Sequence, residues 1–370
     1  MSETLELSRT LIREVTVNPP GDEARCIAPL AARLEQAGFQ CRSVDLAPGR
    51  PNLVARLEGT DTEAPAIAFT GHLDTVPLGE ADWTSDPFAA DIDGDRLYGR
   101  GSTDMKSGVA AIVVAACRYA AEGAKRPVEI VLTSSEEIGL QGARLLSETP
   151  GSLGSASALV VAEPTNNRPA FGNRGILWLD VQFDGKTAHA SEPHQGVNAL
   201  LLACAAAERF AAYDFDGAEH PTLGRPTLNV AVMRAGTNYN SVPDRATVGL
   251  DLRPLPDADI ASVIRTMDGL AGDQASVAEL LRCPGLWTDP RDPWLRQAIE
   301  TTAAITGANA VMGAVPFNTD GSFLAPAYGE IPTLILGPGD PAQAHKTDEW
   351  CSIAKIDEAT AIYLELMRRY

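Results

Sequence analysis

Two side chains suited to binding or orienting a metal ion follow an apolar run early in the chain. The run at 66–69 leads into Gly71-His72-Leu73-Asp74, so a histidine and a carboxylate stand two positions apart at the predicted end of a strand. Because strand side chains alternate, His72 and Asp74 point to the same face. This spacing suits a metal ligand and the partner that orients it, and a hydrogen-bonded surface pair is the alternative.

A second pair of reactive side chains follows the apolar run at 128–133. Glu136 and Glu137 are adjacent, and Gly139 marks the turn after them. Neighbouring carboxylates repel one another unless a cation offsets their charge. One of the two could therefore bind metal while the other transfers a proton. A solvated acidic loop is the alternative, and the position at a strand end favours the functional interpretation.

Three further positions carry ligand-type residues at strand ends or in glycine-rich loops. Asp104 precedes a helical stretch, Glu163 precedes a proline after an apolar run, and His345 follows a glycine–proline loop. Asp104 is either a helix-capping or turn residue, or a carboxylate whose two oxygens bridge two cations. Together the five clusters supply two histidines and three carboxylates as ligands, with one glutamate and one aspartate to spare.

This donor set predicts a hydrolytic metal site. None of the candidate ligands is a cysteine, and mixed nitrogen and oxygen ligation suits zinc, cobalt or manganese. Such ions polarise a scissile carbonyl group and lower the pKa of a bridging water to about 7. A single zinc ion uses about four ligands, so the spare ligands favour two ions over one.

The order of apolar runs predicts an α/β fold that would position these residues. Short runs of strand character alternate with helical stretches: 52–57, 66–69, 107–121, 128–133, 142–147 and 158–162. This alternation is typical of a mixed, mostly parallel sheet covered by helices. Ligands of such sheets bind beyond the carboxyl ends of the strands, where the candidate residues lie.

The pattern changes near Gly175, which predicts a second domain. From there the order is strand, helix, strand, strand, helix, and the α/β pattern resumes after Gly285. We therefore expect an α+β sandwich at 175–284, inserted into a discontinuous catalytic domain formed by 1–174 and 285–370.

Composition disfavours several classes of function. The 30 basic and 49 acidic residues give a formal charge of −19, which argues against nucleic acid and anionic membranes as partners. The six cysteines include no CxxC pair, which is typical of reduced thiols in a cytoplasmic protein. The N-terminal residues lack a signal-peptide pattern, and no apolar stretch approaches the roughly 20 residues of a membrane helix. We expect a cytoplasmic protein.

Five motifs resemble those of a known family of metallohydrolases. GHLDTVP, GRGSTDMKSG, SSEEIG, VAEPT and AHKTDEW are similar, in order and spacing, to motifs of aminoacylases, acetylornithine deacetylases, succinyl-diaminopimelate desuccinylases and glutamate carboxypeptidases. The resemblance covers nearly the whole chain. It implies a zinc-peptidase-like catalytic domain with two divalent ions per chain, with zinc expected before cobalt or manganese.

The resemblance also implies a role for each residue of these motifs. The five ligands would divide between two ions, with one shared: His72 and Glu163 on one ion, Glu137 and His345 on the other, and Asp104 between them. Asp74 would orient His72, and Glu136 would be the general acid/base that assists attack by metal-bound water. A cis peptide bond is implied between Asp104 and Met105.

Within the inserted segment, the resemblance implies a lid that also forms a homodimer. GKTAHASEPHQGVNAL is similar to the family segment whose histidine reaches the active site of the partner subunit, and that histidine corresponds to His189, not His194. NYNSVPDRA and DLRPLP resemble segments that hold the substrate carboxylate, here through Asn240 and Arg253. A surface salt bridge is the alternative for Arg253.

The motifs divide between two substrate classes. WTSDPF, RLYGRG, GVNAL, PTLN, DLRPLP and LILGPG are most similar to acetylornithine deacetylases, whereas GRGSTDMKSG and NSVPD are at least as similar to desuccinylases. We expect a small N-acyl amino acid as substrate, Nα-acetylornithine first, with a place in arginine biosynthesis. A succinyl substrate carries a further carboxylate, for which Arg174 is the candidate, with a salt bridge at the domain joint as its alternative.

Two alternatives to this interpretation are another activity of the same family and a homologue without catalytic activity. A related aminoacylase, carboxypeptidase or dipeptidase stays open, because the acyl group and side chain cannot be read from these motifs. A catalytically silent homologue serving as a binding module is disfavoured, since every expected ligand and the expected base are present.

Overall fold

The computed structural model describes residues 1–61 and 63–370, and these form two compact units. Unit 1 consists of Met1–Gly172, Trp287–Val315 and Thr319–Tyr370. Unit 2 consists of Asn173–Leu286 and Pro316–Asn318.

Strands and helices alternate through much of the described chain. The strands are β1 (Gln40–Ala47), β2 (Arg50–Leu57), β3 (Ala66–His72), β4 (Ile92–Asp93), β5 (Arg96–Tyr98), β6 (Val128–Thr133), β7 (Ala156–Val161), β8 (Ala170–Asn173), β9 (Ile176–Asp184), β10 (Thr227–Ala235), β11 (Arg245–Arg253), β12 (Ala275–Cys283), β13 (Leu286–Trp287), β14 (Gly313–Val315), β15 (Thr333–Ile335) and β16 (Trp350–Ser352). The helices are α1 (Glu3–Arg13), α2 (Ala24–Gln36), α3 (Ser107–Ala121), α4 (Gln141–Glu148), α5 (Ala199–Ala211), α6 (Ile260–Ala271), α7 (Pro293–Thr306), α8 (Gly321–Ala327) and α9 (Ile353–Arg369).

A nine-stranded sheet is the centre of unit 1 in the described part of the chain. Its order is β1-β2-β6-β3-β7-β15-β8-β13, with β14 paired to β8. The neighbours β6, β3, β7 and β15 run parallel, whereas β1, β2 and β8 pair antiparallel. A separate three-stranded sheet has the order β16-β5-β4. The predicted mixed, mostly parallel sheet is confirmed.

The parallel strands are apolar along their whole length because both of their faces are covered. Every residue of β3 and β6 is buried, and α3 is buried over most of its length where it contacts α1, α9 and the sheet. Continuous apolar strands are what a parallel sheet between helices requires. This packing gives the strand ends a rigid support.

Two glycines allow backbone segments to meet directly before Glu163. A Cβ atom added at Gly108 in α3 would lie 2.5 Å from the carbonyl oxygen of Ala162, and one added at Gly337 would lie 2.2 Å from the same oxygen. Any larger residue would force α3 or the loop after β15 away from the end of β7. The position of Glu163 therefore depends on both glycines.

Unit 2 contains an antiparallel sheet of order β10-β11-β9-β12 with helices α5 and α6 packed on it. Alternate residues of β9 enter the core of unit 2, namely Leu177, Leu179, Val181 and Phe183. The sequence pattern did not indicate β12, whose Ala, Glu, Leu and Arg residues favour helix. Pairing with β9 along an edge overrides that preference.

Two features of the fold bear on the class of protein. All six cysteines are free thiols. In residues 1–61 and 63–370, none of the helices has the length and apolar character needed to cross a membrane.

Candidate metal centre and active site

The strand ends of unit 1 bring two groups of metal-ligand side chains together. His72, Asp104 and Glu163 form one group, and Asp104, Glu137 and His345 form the other. Within each group, one ligand atom of every residue lies within 4.8 Å of the others. His72 ends β3, while Glu137 and Glu163 follow its parallel neighbours β6 and β7, so all three emerge at the same edge of the sheet.

Asp104 belongs to both groups and turns one carboxylate oxygen toward each. Its Oδ1 lies 3.0 Å from His72 Nε2, and its Oδ2 lies 3.3 Å from His345 Nε2. His345 Nε2 is also 3.1 Å from Glu137 Oε2, and His72 Nε2 is 3.9 Å from Glu163 Oε1. The peptide bond after Asp104 is cis, as the resemblance implies. This geometry suits a carboxylate shared by two cations.

The electrostatics of the site favour bound cations over free carboxylates. Burial raises the pKa of Glu136 and of Glu163 well above the usual value, and neighbouring carboxylates raise both further. Burial and the charge of Asp104 also raise the pKa of Glu137. Hydrogen bonds to Asp104 and Glu137 raise the pKa of His345 to about 10. Protons are held here because negative charge is crowded in a buried space.

The residues present fit two divalent metal ions. Glu137 Oε1 is buried and has no hydrogen-bond partner, although its neighbour Oε2 faces His345. A buried carboxylate oxygen without a partner is costly, and a cation would satisfy it. Two imidazoles and three carboxylates are ligands suited to zinc, cobalt or manganese.

His72 is oriented by the main chain of Asp74. Its Nδ1 lies 3.0 Å from the Asp74 carbonyl oxygen and 3.7 Å from the nearest Asp74 carboxylate oxygen. Nδ1 therefore donates to the carbonyl group, which leaves the Nε2 lone pair directed at the ligand group. We expected Asp74 to orient His72, and the atom involved is the backbone oxygen.

The Asp74 carboxylate instead holds the turn that carries the glutamate pair. It accepts the backbone N–H groups of Glu136 at 3.0 Å and Glu137 at 3.2 Å. It also accepts Asn18 Nδ2 at 2.8 Å, and that amide lies 3.3 Å from Ser135 Oγ. The side chain of Asp74 thus fixes the backbone on which both glutamates stand.

The turn before Glu136 adopts a left-handed conformation that a second buried carboxylate supports. Ser135 has φ +60°, which is uncommon for a residue with a side chain. Its N–H donates to Glu23 Oε1 at 3.1 Å, and Arg50 Nε donates to Glu23 Oε2 at 3.0 Å. His345 also lies in the left-handed region, with φ +63°. Such conformations cluster at functional sites, where the surrounding contacts maintain them.

Sequence reasoning missed four buried polar residues around this site. They are Asn18, Glu23, Asp320 and Glu349. Asp320 accepts a hydrogen bond from Thr133 Oγ1 at the end of β6, its Oδ1 has no partner, and burial raises its pKa to about 6. Glu349 stands inside the AHKTDEW motif, which was the one available signal; the others had no recognised pattern.

In unit 2, His189 and Asn240 lie on adjacent antiparallel segments and are both exposed. Ala190 N donates to the carbonyl oxygen of Asn240 at 3.0 Å. His189 Nδ1 accepts the N–H of Ser191 at 3.1 Å, so the hydrogen of a neutral ring is carried by Nε2. His194 is exposed and lies 3.4 Å from Glu192.

The two candidate arginines of unit 2 differ in their partners. Arg253 is half-buried and forms a two-point pair with Asp251, at 2.9 Å from Nε and 3.0 Å from Nη2. Arg174 Nη1 donates to the carbonyl oxygen of Arg225 at 2.8 Å. In the described part of the chain, no carboxylate oxygen lies within 4.0 Å of Arg174, so a salt bridge does not account for it.

Comparison with known proteins agrees with this fold and site. The profile of peptidase family M20/M25/M40 matches residues 68–369. Acetylornithine deacetylases of Salmonella paratyphi B and Salmonella newport are each 29% identical over 389 aligned residues, covering 99% of this chain and 97% of the relative.

Solved structures with the same fold cover at least 98% of this chain. An M20 family metallo-carboxypeptidase from Sulfolobus solfataricus gives a TM-score of 0.84 at 17% identity, covering 100% of this chain and 99% of that one. A tripeptidase from Staphylococcus aureus gives 0.80 at 22% identity, covering 99% and 97%. A dinuclear metal binding peptidase of the M20 family from Bacillus subtilis gives 0.74 at 18% identity, covering 98% and 96%.

The fold and the site define a metal-dependent amide hydrolase. The chain belongs to peptidase family M20/M25/M40. Its curated relatives over the full length include acetylornithine deacetylases, and its structural neighbours include dinuclear metallopeptidases.

Proposed function

We propose that this protein is a dinuclear-metal deacylase that removes the acetyl group from a small N-acetylated amino acid, with Nα-acetylornithine as the first candidate. The observation that carries the proposal is Asp104, whose two oxygens face separate ligand groups at 3.0 and 3.3 Å. The full-length similarity to acetylornithine deacetylases supports the substrate class.

The proposed ligands fall into the two groups that the structure brings together. His72 and Glu163 would hold one ion, Glu137 and His345 the other, and Asp104 both. Two divalent ions, zinc first and cobalt or manganese as alternatives, would polarise the amide carbonyl and acidify water when bound.

Glu136 would move the protons of the reaction. It is half-buried, its backbone is fixed by Asp74, and desolvation of its carboxyl group holds its pKa well above the usual value. A carboxylate of raised pKa can take a proton from the attacking water and return it to the departing amine nitrogen near neutral pH. A positioned acid/base of this kind contributes about 10²–10⁴-fold in rate.

Residues of unit 2 would bind and orient the substrate. His189, presenting Nε2–H, would donate a hydrogen bond to the developing oxyanion. Asn240 and Arg253 would hold the α-carboxylate of the substrate. Arg253 already pairs with Asp251, so it would donate to the α-carboxylate either beside that pair or in place of it. By family resemblance, unit 2 would also be the lid and the dimerisation domain, with His189 acting in the partner's site.

A desuccinylase is the second candidate, and the environment of Arg174 favours it. Its guanidinium has no carboxylate partner among the described residues and could hold the extra carboxylate of a succinyl group. An aminoacylase, carboxypeptidase or dipeptidase of the same family would use the same metal ligands with a different substrate pocket.

The test separates metal chemistry from substrate choice. Metal-free protein is reconstituted with zinc or cobalt, its metal content is measured, and kcat/KM is compared for Nα-acetylornithine, N-succinyl-diaminopimelate and a dipeptide. We expect up to two ions per chain, loss of activity with chelator, and preference for the acetyl substrate. Activity at zero metal content would end the metal proposal, and preference for the succinyl compound would replace the deacetylase with a desuccinylase.

A further inference from the structure

We propose that Glu349 is a positioning residue for the metal centre, because its carboxylate holds the loop that carries Asp104. The inference rests on the dinuclear assignment of the site and does not depend on the substrate. Glu349 contacts no candidate ligand atom itself; it acts through the backbone of the Asp104 loop.

Four N–H donors converge on this one carboxylate. Glu349 Oε1 accepts the backbone N–H groups of Thr103 at 2.7 Å and Asp104 at 3.1 Å. Oε2 accepts Gly101 N at 3.0 Å and Arg100 Nη1 at 2.7 Å. Both oxygens are fully used, and all four donors belong to the loop between β5 and α3, three of them as backbone N–H groups.

This loop cannot hold its own conformation through helical hydrogen bonds. The segment Ser102–Lys106 is interrupted at Asp104, which has φ −122° and ψ 93°, and at Met105. The N–H groups of Thr103 and Asp104 consequently need an acceptor outside the loop. Glu349 supplies that acceptor, and its position thus sets the position of the shared ligand.

Glu349 also connects the two halves of the centre. It lies four residues after His345, and its carbonyl oxygen accepts the N–H of Gly99 at 2.9 Å. The loop that carries His345, a candidate ligand of one ion, is thereby joined to the loop that carries Asp104, the candidate ligand of both ions. Because each oxygen of Asp104 faces a different ligand group, a small displacement of this carboxylate would change its distances to both groups at once.

The energetics explain why an ionised carboxylate suits this place. Glu349 is fully buried, and its carboxylate accepts hydrogen bonds from the Arg100 guanidinium and from three backbone N–H groups of the loop. Arg100 is equally buried and balances the charge. Glu349→Gln would turn an amide N–H₂ group toward two N–H donors, so at least one side of the arrangement must open.

A matched control separates positioning from stability. Glu129 is also buried and also accepts an arginine, Arg56 at 3.3 Å, and a backbone N–H, Gly154 at 2.9 Å. It is the second residue of β6, at the opposite end of the strand from Glu136. Glu129→Gln should destabilise the fold in a similar way without touching the metal site.

The experiment titrates metal-free wild-type protein, Glu349→Gln and Glu129→Gln with Co²⁺ against a chelator of known affinity, well below each melting temperature. We expect Glu349→Gln to bind Co²⁺ about 10- to 100-fold more weakly and to give an altered Co²⁺ absorption spectrum. Glu129→Gln should keep wild-type affinity and spectrum. Two Co²⁺ ions bound to Glu349→Gln within about threefold of wild type would overturn the proposal.

A second variant and a measurement on wild-type protein cover the case in which Glu349→Gln does not fold. Glu349→Asp keeps the charge opposite Arg100 but is one methylene shorter, so it should fold and still lose Co²⁺ affinity. In metal-free wild-type protein, the amides of Thr103 and Asp104 should be protected from hydrogen exchange. Exchange as fast as in exposed loops, or full Co²⁺ affinity in Glu349→Asp, would contradict the assigned role.

Discussion

The backbone N–H of Glu136 donates to the carboxylate of Asp74 at 3.0 Å, so the proposed acid/base is held by the residue that orients the ligand His72. The Asp74 carbonyl oxygen accepts His72 Nδ1, and its carboxylate accepts the N–H of Glu137 as well. One residue therefore positions a candidate ligand from each of the two groups together with the proposed proton-transfer residue.

Asp74→Asn should lower kcat in protein that is still folded. The amide would present a donor to one of the N–H groups it now accepts, which would displace the turn at Glu136 by a few tenths of an ångström or more. We expect kcat to fall about 10- to 100-fold. Asp95→Asn is the control, since Asp95 likewise accepts a backbone N–H, from Ala354 at 2.9 Å, at an exposed position. Equal effects on kcat in the two variants would contradict the prediction.

Glu136→Gln and Glu137→Gln should separate proton transfer from metal binding. Glu136→Gln should lose about 10²–10⁴-fold in kcat while retaining both ions, because the role proposed for Glu136 is proton transfer and not metal binding. Glu137→Gln should bind one ion more weakly, because Glu137 lies in the group with His345. Metal content and kcat are measured on the same preparations of both variants. If Glu136→Gln loses metal and Glu137→Gln loses only kcat, the two assignments are reversed.

Metal binding near neutral pH should release protons. In the metal-free protein, hydrogen bonds to Asp104 and Glu137 raise the pKa of His345 to about 10, above an unfolded value of about 6.5. This raised pKa stabilises the metal-free fold fully below about pH 6.5, and the contribution is lost as the pH rises through about 10. A metal ion binds the neutral imidazole, so metal affinity should rise with pH over the same range.

Calorimetry in buffers of different ionisation enthalpy measures the protons released. At pH 7.5, wild-type protein should release about one proton more than His345→Ala on binding Zn²⁺. The melting temperature of metal-free wild-type protein should also fall more between pH 7 and 10 than that of the variant. Proton release that is unchanged in His345→Ala would show that His345 is neutral before metal binds.

The main elements of the fold could be predicted because their apolar patterns are local. The expected helix at 107–121 and the expected strand at 128–133 have the observed bounds. Strand β12 could not be predicted, because its residues favour helix and only its partner β9 makes it a strand. The short α8 after Asp320 also gave no signal, since seven residues are too few for a periodic pattern.

The candidate ligands could be predicted from motifs, whereas the residues that support them could not. Asp104 and Glu163 each lie in a recognisable segment at a strand end. Asn18 contacts the carboxylate of a residue 56 positions away, and Glu349 has partners up to 249 positions away, so the local sequence does not show which groups they hold.

His189→Ala should be nearly inactive although it retains metal, because it removes the proposed oxyanion donor. His194→Ala is the matched control, since His194 is an exposed histidine five positions on and should tolerate the change. If the residue acts in the partner's site, mixing His189→Ala with Glu136→Gln subunits should restore part of the activity. With subunit exchange demonstrated by mass spectrometry, an inactive mixture would argue against a shared site.

The two arginines of unit 2 should respond differently to the substrate. If an acetylated amino acid is hydrolysed, Arg253 holds its single carboxylate, and Arg253→Ala should lower kcat/KM for Nα-acetylornithine by about tenfold or more, the value of one charge-assisted hydrogen bond. Asp251→Asn should lower KM, because it releases the guanidinium from its present partner at 2.9 Å.

Arg174→Ala should change kcat/KM for Nα-acetylornithine by less than about threefold. The control Arg225→Ala, whose nearest carboxylate is 3.9 Å away, should do the same. Assays of each variant on the acetyl and succinyl substrates test the assignment. A large loss in Arg174→Ala that is confined to N-succinyl-diaminopimelate would identify Arg174 as the residue that binds the second carboxylate, and an equal loss on both substrates would make it, not Arg253, the group that holds the α-carboxylate.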